Sequence, residues 1–462
     1  MKRTKLLPSL AAIVWTALGI GAGAQAWTAA DARGEGEPWP TSTPERQGFD
    51  SVELAKVFDF IKENNVDFNG LIIVRNGYKA LEAYFYPFQR DLPHDVASVT
   101  KSVTSLLVGM AIDRGLIKGV QEPALNFFPE RAAAVADEQK KRLTLEHLLT
   151  MTSGFCHSYR DGEAQPGAMR LSPDGVRFML DQPLVTAPGS VFAYCSLAPH
   201  LLSAVVTRAT GLNELEFARK NLFGPLGITR VEWPADSQGN SSGWGDLFIR
   251  PIDLAKIGYL LLGRGLWQGT RIVFEEWIQV STRPHVFESD TTGYGYLWWM
   301  PLSTPGLYEA RGRGGQRLSL WPRRNLLVVM IGNGGHDPGD VGAIIGRALK
   351  SDGALPENPA AVAALKLSVR DAFSRQVDLK VIVIPVGLDG VYRFSNNSRY
   401  GLPLAARGAW RSNDEFEFVL NEPANDRAFD VRLRFEGEDA ELTGSERTGL
   451  VESVAIRARI KQ

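Results

Sequence analysis

Apolar residues first recur at helical spacing at Leu54, Val57, Phe58 and Ile61, which predicts a helix from Ser51 to about Asn64. Gly70-Leu71-Ile72-Ile73-Val74 then runs without a polar break, and Asn76-Gly77 separates it from a second strand-like stretch, Tyr78 to Tyr86. That is the signature of a β-hairpin closed by a two-residue turn. Helical spacing returns over Thr100 to Ile117, Thr144 to Thr152 before Gly154, Ala198 to Thr210 before Gly211, and Pro251 to Leu262. Strand-like runs reappear late, at Tyr294 to Met300, Leu307 to Arg311, Arg317 to Trp321 and Leu326 to Ile331, with Pro322-Arg323-Arg324-Asn325 turning between the last two. The early hairpin and the late strands are expected to share one antiparallel sheet, flanked by helices and enclosing a helical insert. The fold class is α/β in the α+β sense.

Around Ser351 to Ala361 the composition shifts to Gly, Pro, Asn and Ala, and a helical segment follows to about Phe373. Beyond it, Val381 to Ile384, Val391 to Phe394, Phe416 to Leu420, Phe429 to Phe435 and Val451 to Ile460 read as strands. Phe429, Val431, Leu433 and Phe435 alternate with Asp430, Arg432 and Arg434, the pattern of a half-buried antiparallel sheet, flat or closed into a small barrel. The expected organisation is a signal peptide at 1–26, an extended lead-in at 27–48, a main domain at 49–350, a linker and helix at 351–373, and a small C-terminal all-β accessory domain at 374–462.

The N-terminal assignment rests on order. Basic Met1-Lys2-Arg3-Thr4-Lys5 leads into an apolar run from Leu6 to Ile20 and then Ala24-Gln25-Ala26, so the chain is expected to be exported, to the periplasm or beyond, with cleavage after Ala26. No later segment is apolar enough to span a bilayer, and no membrane association beyond the signal peptide is expected. The 51 Lys plus Arg balance 52 Asp plus Glu, so no net field draws nucleic acid, and a small neutral or mixed-charge molecule is the expected partner. Composition leaves the oligomeric state open. Cys156 and Cys195 are the two cysteines, and in an oxidising compartment they form either one disulfide or two separate buried thiols.

Three segments carry candidate chemistry. Ala97-Ser98-Val99-Thr100-Lys101 opens an apolar helix, placing Ser98 and Lys101 on one face. A serine needs a base to become a nucleophile, and a lysine amine serves once it is neutral, which burial and the positive end of the helix dipole both favour. The same helix end offers the Ser98 N–H to a developing oxyanion. The structural alternative is a serine capping the helix with an exposed lysine one turn in. Pro188-Gly189 leads to Tyr194, Cys195 and Ser196, where a loop tyrosine can relay a proton. Gly312-Arg313-Gly314-Gly315-Gln316 opens a strand, where glycines let substrate approach the backbone and the Gln316 N–H can complete an oxyanion hole.

Taken in this order, the three segments resemble the β-lactamase-related serine hydrolases: class C β-lactamases, D-alanyl-D-alanine carboxypeptidases, esterases of β-lactamase fold and nylon-oligomer hydrolases. The resemblance runs from about Thr43 to Leu349 and is supported by Leu148-Leu149-Thr150-Met151-Thr152-Ser153-Gly154 and by Trp244-Gly245-Asp246 leading into Pro251-Ile252-Asp253-Leu254-Ala255-Lys256-Ile257-Gly258. It implies Ser98 as nucleophile with Lys101 and Tyr194 as its proton-transfer partners. Ser196 stands where many members carry asparagine, and Arg313-Gly314-Gly315 stands for the Lys-Thr-Gly or His-x-Gly box, so Arg313 keeps a positive charge while the threonine hydroxyl is missing. These departures favour esters or amides over β-lactams. The resemblance implies no cofactor; its non-enzymatic alternative is a penicillin-binding-type sensor or scaffold that is acylated and turns over negligibly.

Competing motifs weigh less. Gly239-Asn240-Ser241-Ser242-Gly243 matches G-x-S-x-G but lacks the strand before and helix after that a nucleophile elbow needs, so a flexible polar loop is expected. Cys156-His157 are sequence neighbours that do not face each other as a thiol–imidazole pair would. His94, His147, His157, His200, His285 and His336 show no dense ligand spacing, so no metal site is expected, and His147 reads as a packed core histidine.

Overall fold

The computed structural model describes residues 40–459, except 65, 67, 86–87, 134, 159–161, 163–164, 167, 171, 333–337, 375–385, 389–392, 396–403, 423–426, 437–438 and 447–453. The signal segment 1–26, most of the lead-in, and the strand expected at Val381 to Ile384 lie outside the described residues. The chain divides into two compact units, Glu35–Ser374 and one that holds Arg375–Gln462.

In the first unit, helix α1 (Ser51–Glu63) starts where the Asp50 carboxylate accepts the Val52 N–H at 2.9 Å. Strands β1 (Phe68–Arg75) and β2 (Tyr78–Tyr84) follow, joined at Asn76 and Gly77, both with positive φ as a tight hairpin turn requires. Helices α2 (Val99–Asp113), α3 (Leu145–Leu149), α4 (Leu197–Thr210), α5 (Glu214–Ala218) and α6 (Pro251–Leu262) come next. The later strands are β3 (Val286–Ser289), β4 (Thr292–Tyr294), β5 (Trp299–Pro301), β6 (Tyr308–Gly312), β7 (Gln316–Trp321) and β8 (Leu326–Gly332), and helices α7 (Pro338–Ala348) and α8 (Pro359–Ser374) close the unit.

These eight strands form one antiparallel sheet in the order β2-β1-β8-β7-β6-β5-β4-β3, so the early hairpin does join the late strands. Its centre is covered on both faces, which is why β1 reads as an unbroken apolar run. Leu71 and Ile73 pack with α1, Ile344 and Leu365, whereas Ile72 and Val74 belong to the larger core with α2, α4 and α6. The helix expected in the linker, α8, thus packs within this unit, and Arg75 ties the preceding segment down by donating to the carbonyls of Gln47 and Ser351 at 2.7 Å each. The run Tyr294 to Met300 is two strands: Gly295 N–H donates to the Trp298 carbonyl at 2.9 Å and Leu297 takes φ +64° in a turn that is itself buried. Its continuous hydrophobicity comes from that burial.

The described residues of the C-terminal unit form a seven-stranded sheet: β9 (Val386–Gly387), β10 (Arg393–Ser395), β11 (Leu404–Trp410), β12 (Glu415–Glu422), β13 (Arg427–Glu436), β14 (Asp439–Glu446) and β15 (Val454–Arg459). Its order is β9-β11-β12-β13-β14-β15, with β10 also on β11. Phe416, Phe418, Leu420, Val431, Leu433 and Leu442 are buried, while the alternating positions carry cross-strand pairs such as Arg432 with Glu417 at 2.6 Å. A cavity on this unit is lined by Arg407, Arg411, Glu417, Asp430, Arg432 and Thr443, none of them among the candidate site residues.

Candidate active site

Ser98 occupies the N-cap of α2 in helical conformation, and its side chain makes no capping bond. The turn that presents it is tight: Ala97 has φ +47°, and its N–H is held by the Asp95 carboxylate at 2.8 Å. The hydroxyl is therefore available, and Ser98 is half-buried. Lys101 is 1 % exposed, which excludes the solvated lysine of the capping alternative. Its Nζ lies 2.8 Å from Ser98 Oγ and donates to the Trp244 carbonyl at 2.8 Å. An amine that gives one N–H to a carbonyl keeps its lone pair for the serine proton once it is neutral.

Tyr194 is brought to the same place. Lys101 Nζ sits 4.9 Å from the centroid of the Tyr194 ring, and Trp299 stacks on that ring at 5.5 Å and 27°. The ring is thus held between the Trp299 face and the Lys101 amine. The backbone around it is pinned three ways: Ala193 N–H donates to the Met151 carbonyl at 2.9 Å, Ser196 N–H to the Gly162 carbonyl at 3.3 Å, and Cys195 is bridged to Cys156 across a Cα–Cα distance of 5.8 Å. A Cβ on Gly162 would come within 2.0 Å of the Tyr194 carbonyl, so that crossing needs a glycine. Ser196 is fully buried at the N-cap of α4, again without a capping bond.

The glycine-rich turn lies against Ser98. Gly314 and Gly315 have φ +80° and +94°, which only glycine adopts without strain. Gly312 is extended, yet a Cβ there would sit 2.5 Å from the Val96 carbonyl and 3.1 Å from Ser98 N, so its requirement is for space. Arg313 is exposed. The Gln316 side chain is buried and engaged elsewhere, Nε2 donating to the Gly332 carbonyl at 2.6 Å while Oε1 accepts the Gly332 N–H at 3.3 Å. Only its backbone is left for chemistry.

Sequence reasoning did not assign the Trp244 carbonyl, the Trp299 ring or the room left by Gly312 to the site. A backbone carbonyl such as that of Trp244 has no side-chain signature, and its partner is 143 residues away. The segment around it is clamped by Arg170, which pairs with Asp246 and lies over the Trp244 ring at 5.0 Å. Two expectations need correction. Residues 239–243 are a loop, but a packed one: Ser241 is fully buried, its Oγ accepts the Leu215 N–H at 3.2 Å, and its carbonyl accepts from Ser203 Oγ at 2.8 Å. His147 is half-buried and caps α3, its Nδ1 accepting the Thr144 N–H at 3.2 Å, because a helix start needs acceptors more than a core needs this ring. Cys156 is consumed in the disulfide and His157 is exposed. Among the described residues no group of three His, Cys, Asp or Glu side chains could hold a metal ion, and no helix is long and apolar enough to cross a membrane.

Such a gathering on a helix-flanked antiparallel sheet defines the chain as a serine hydrolase of the kind related to β-lactamases. Residues 67–350 match the family described as Beta-lactamase, and the chain belongs to that family. It is similar to the 6-aminohexanoate-dimer hydrolase of Paenarthrobacter ureafaciens, 26% identical over 284 residues that cover 57% of this chain and 72% of that one. It is also similar to Esterase EstB of Burkholderia gladioli, 35% identical over 136 residues, or 27% of this chain and 34% of that protein. Among solved structures, a putative 6-aminohexanoate-dimer hydrolase from Bacillus anthracis superposes with a TM-score of 0.53 at 19% identity, over 72% of this chain and 86% of that one. That likeness speaks for the fold alone.

Proposed function

We propose that the protein hydrolyses an ester or amide bond of a small molecule through an acyl-enzyme on Ser98. The observation that carries the reading is the buried Lys101 amine, held 2.8 Å from the serine hydroxyl by a carbonyl on its other side. Neutral Lys101 takes the Ser98 proton as Oγ bonds to the substrate carbonyl carbon. The N–H groups of Ser98 and Gln316 serve in this reading as the donors to the resulting oxyanion, where loss of one such donor costs about 2.7–4 kcal/mol. Collapse of the tetrahedral intermediate breaks the bond to the alcohol or amine, which leaves with a proton relayed through Tyr194. Water then attacks the acyl group, giving its proton to the Lys101–Tyr194 pair, and the acid departs as Ser98 recovers its hydrogen. No step needs a cofactor.

Ser196 in place of asparagine, and Arg313-Gly314-Gly315 in place of a threonine-bearing box, support esters and amides over β-lactams as substrates. Relatives named as a dimer hydrolase and an esterase support the same direction. Labelling by an activated-serine probe tests the assignment. Ser98→Ala is expected to abolish labelling and Ser241→Ala to leave it intact; the opposite pattern would refute the role of Ser98. A burst of one equivalent with no turnover on any ester, amide or lactam would make the protein an acylated sensor instead.

A further inference from the structure

Glu214, the first residue of α5, is fully buried behind the site, and its Oε2 lies 3.3 Å from Thr104 Oγ1, one helical turn beyond Lys101 on α2. The Ser203 side chain of α4 stands beside the same carboxyl. At 2.9 Å against 3.3 Å the Gly243 carbonyl is the nearer acceptor for the single Thr104 proton, and Ser203 donates to the Ser241 carbonyl at 2.8 Å. A hydroxyl carries one hydrogen, so a hydrogen bond between either of them and Glu214 needs the carboxyl to supply the proton. Next in the chain is the Trp244 carbonyl that accepts from Lys101.

We infer that Glu214 is a positioning residue: a protonated carboxylic acid that gives its one proton to Thr104 Oγ1 and, being uncharged, does not draw the Ser203 proton away, so that both hydroxyls stay turned toward residues 241–243 and the Trp244 carbonyl stays on Lys101. This rests on the catalytic reading of Ser98 and Lys101. Were Glu214 ionised, it would accept from both hydroxyls, releasing the two carbonyls they hold. The environment favours the acid form, since burial, opposed by the two hydroxyls, raises the carboxyl to about 8 from an ordinary 4.5. The titratable groups on the elements packed against α5 are Lys101 and Asp113 on α2, His200 (paired with Asp236) and Arg208 on α4, Glu216 on α5 itself, and Arg219 and Lys220 in the turn that follows it, and none is among the causes of the shift.

The sign of the pH effect follows. With the folded value above the unfolded one, the stability that neutral Glu214 contributes is present below 4.5 and lost as pH rises through about 8. Glu214→Gln keeps a neutral donor at every pH. The melting temperature of this variant minus that of the full-length wild type should therefore grow between those values and level off above them, and the alkaline fall in kcat should move to higher pH. Thr104→Val, which breaks the link, should lower kcat about tenfold or more with KM changed by less than about twofold. A pH-independent melting difference would overturn the protonated state, and an unchanged kcat in a folded Thr104→Val protein would overturn the positioning role. Ser98→Ala labelled like wild type would sink the catalytic reading, while the melting series would still decide the state of Glu214.

Discussion

At the scale of single residues, small side chains decide what can approach Ser98. Gly312 is extended, a conformation open to any residue, so its lack of a Cβ is about room beside the Val96 carbonyl and the Ser98 N–H. Gly312→Ala is expected to push β6 from the Ser98 turn and lower the acylation rate by about 100-fold, the effect of misplacing a reacting group by roughly 1 Å. Rapid-mixing acylation kinetics with a chromogenic ester check this; a rate within about twofold of wild type would show that the room is not needed. Ser98 and Lys101 were legible because an i, i+3 pair opening an apolar helix is a local pattern. The Trp244 carbonyl, the Trp299 platform under Tyr194 and the Glu214 carboxyl were not, because each acts across more than 100 residues of sequence.

At the scale of elements, the segment carrying Tyr194 is not a regular strand or helix and owes its shape to its attachments. The Cys156–Cys195 bridge, the Gly162 crossing and the contact with Met151 hold it where a free loop would wander. Replacing both cysteines with serine should destabilise the protein by roughly 2–4 kcal/mol. It should also lower kcat more than KM, because the phenol loses its fixed place while Ser98, Lys101 and the glycine-rich turn keep theirs. Denaturant midpoints and steady-state kinetics measure the two effects, and a double variant with wild-type kcat would show that packing alone suffices. Helices and strands with strong periodicity were readable: Pro251–Leu262 falls where its apolar spacing and first-turn proline put it. The strands Leu404–Trp410 and Asp439–Glu446 went unread, since Ala405, Ala406 and Gly408 offer little bulk and Thr443, Gly444 and Ser445 break the alternation. Tertiary pairing, not propensity, makes them strands.

At the scale of the whole molecule, every residue of the Ser98 constellation lies in the unit Glu35–Ser374, and α8 ends that unit by packing against α1 and β2. We propose that residues 375–462 are dispensable for the chemistry. A protein ending at Ser374 should fold and label at Ser98 like the full chain, as probe labelling and circular dichroism would report; loss of labelling in a folded truncation would assign the β-rich unit a part in the reaction. The central pairing of the sheet has its own consequence. Leu71 sits opposite Met330 and Ile73 opposite Val328, so β1 meets β8 only after about 250 intervening residues have been made. A ribosome releases the first strand long before the partner that will cover it exists. Until then its Leu-Ile-Ile-Val run stays unpaired and open to sticking to other chains.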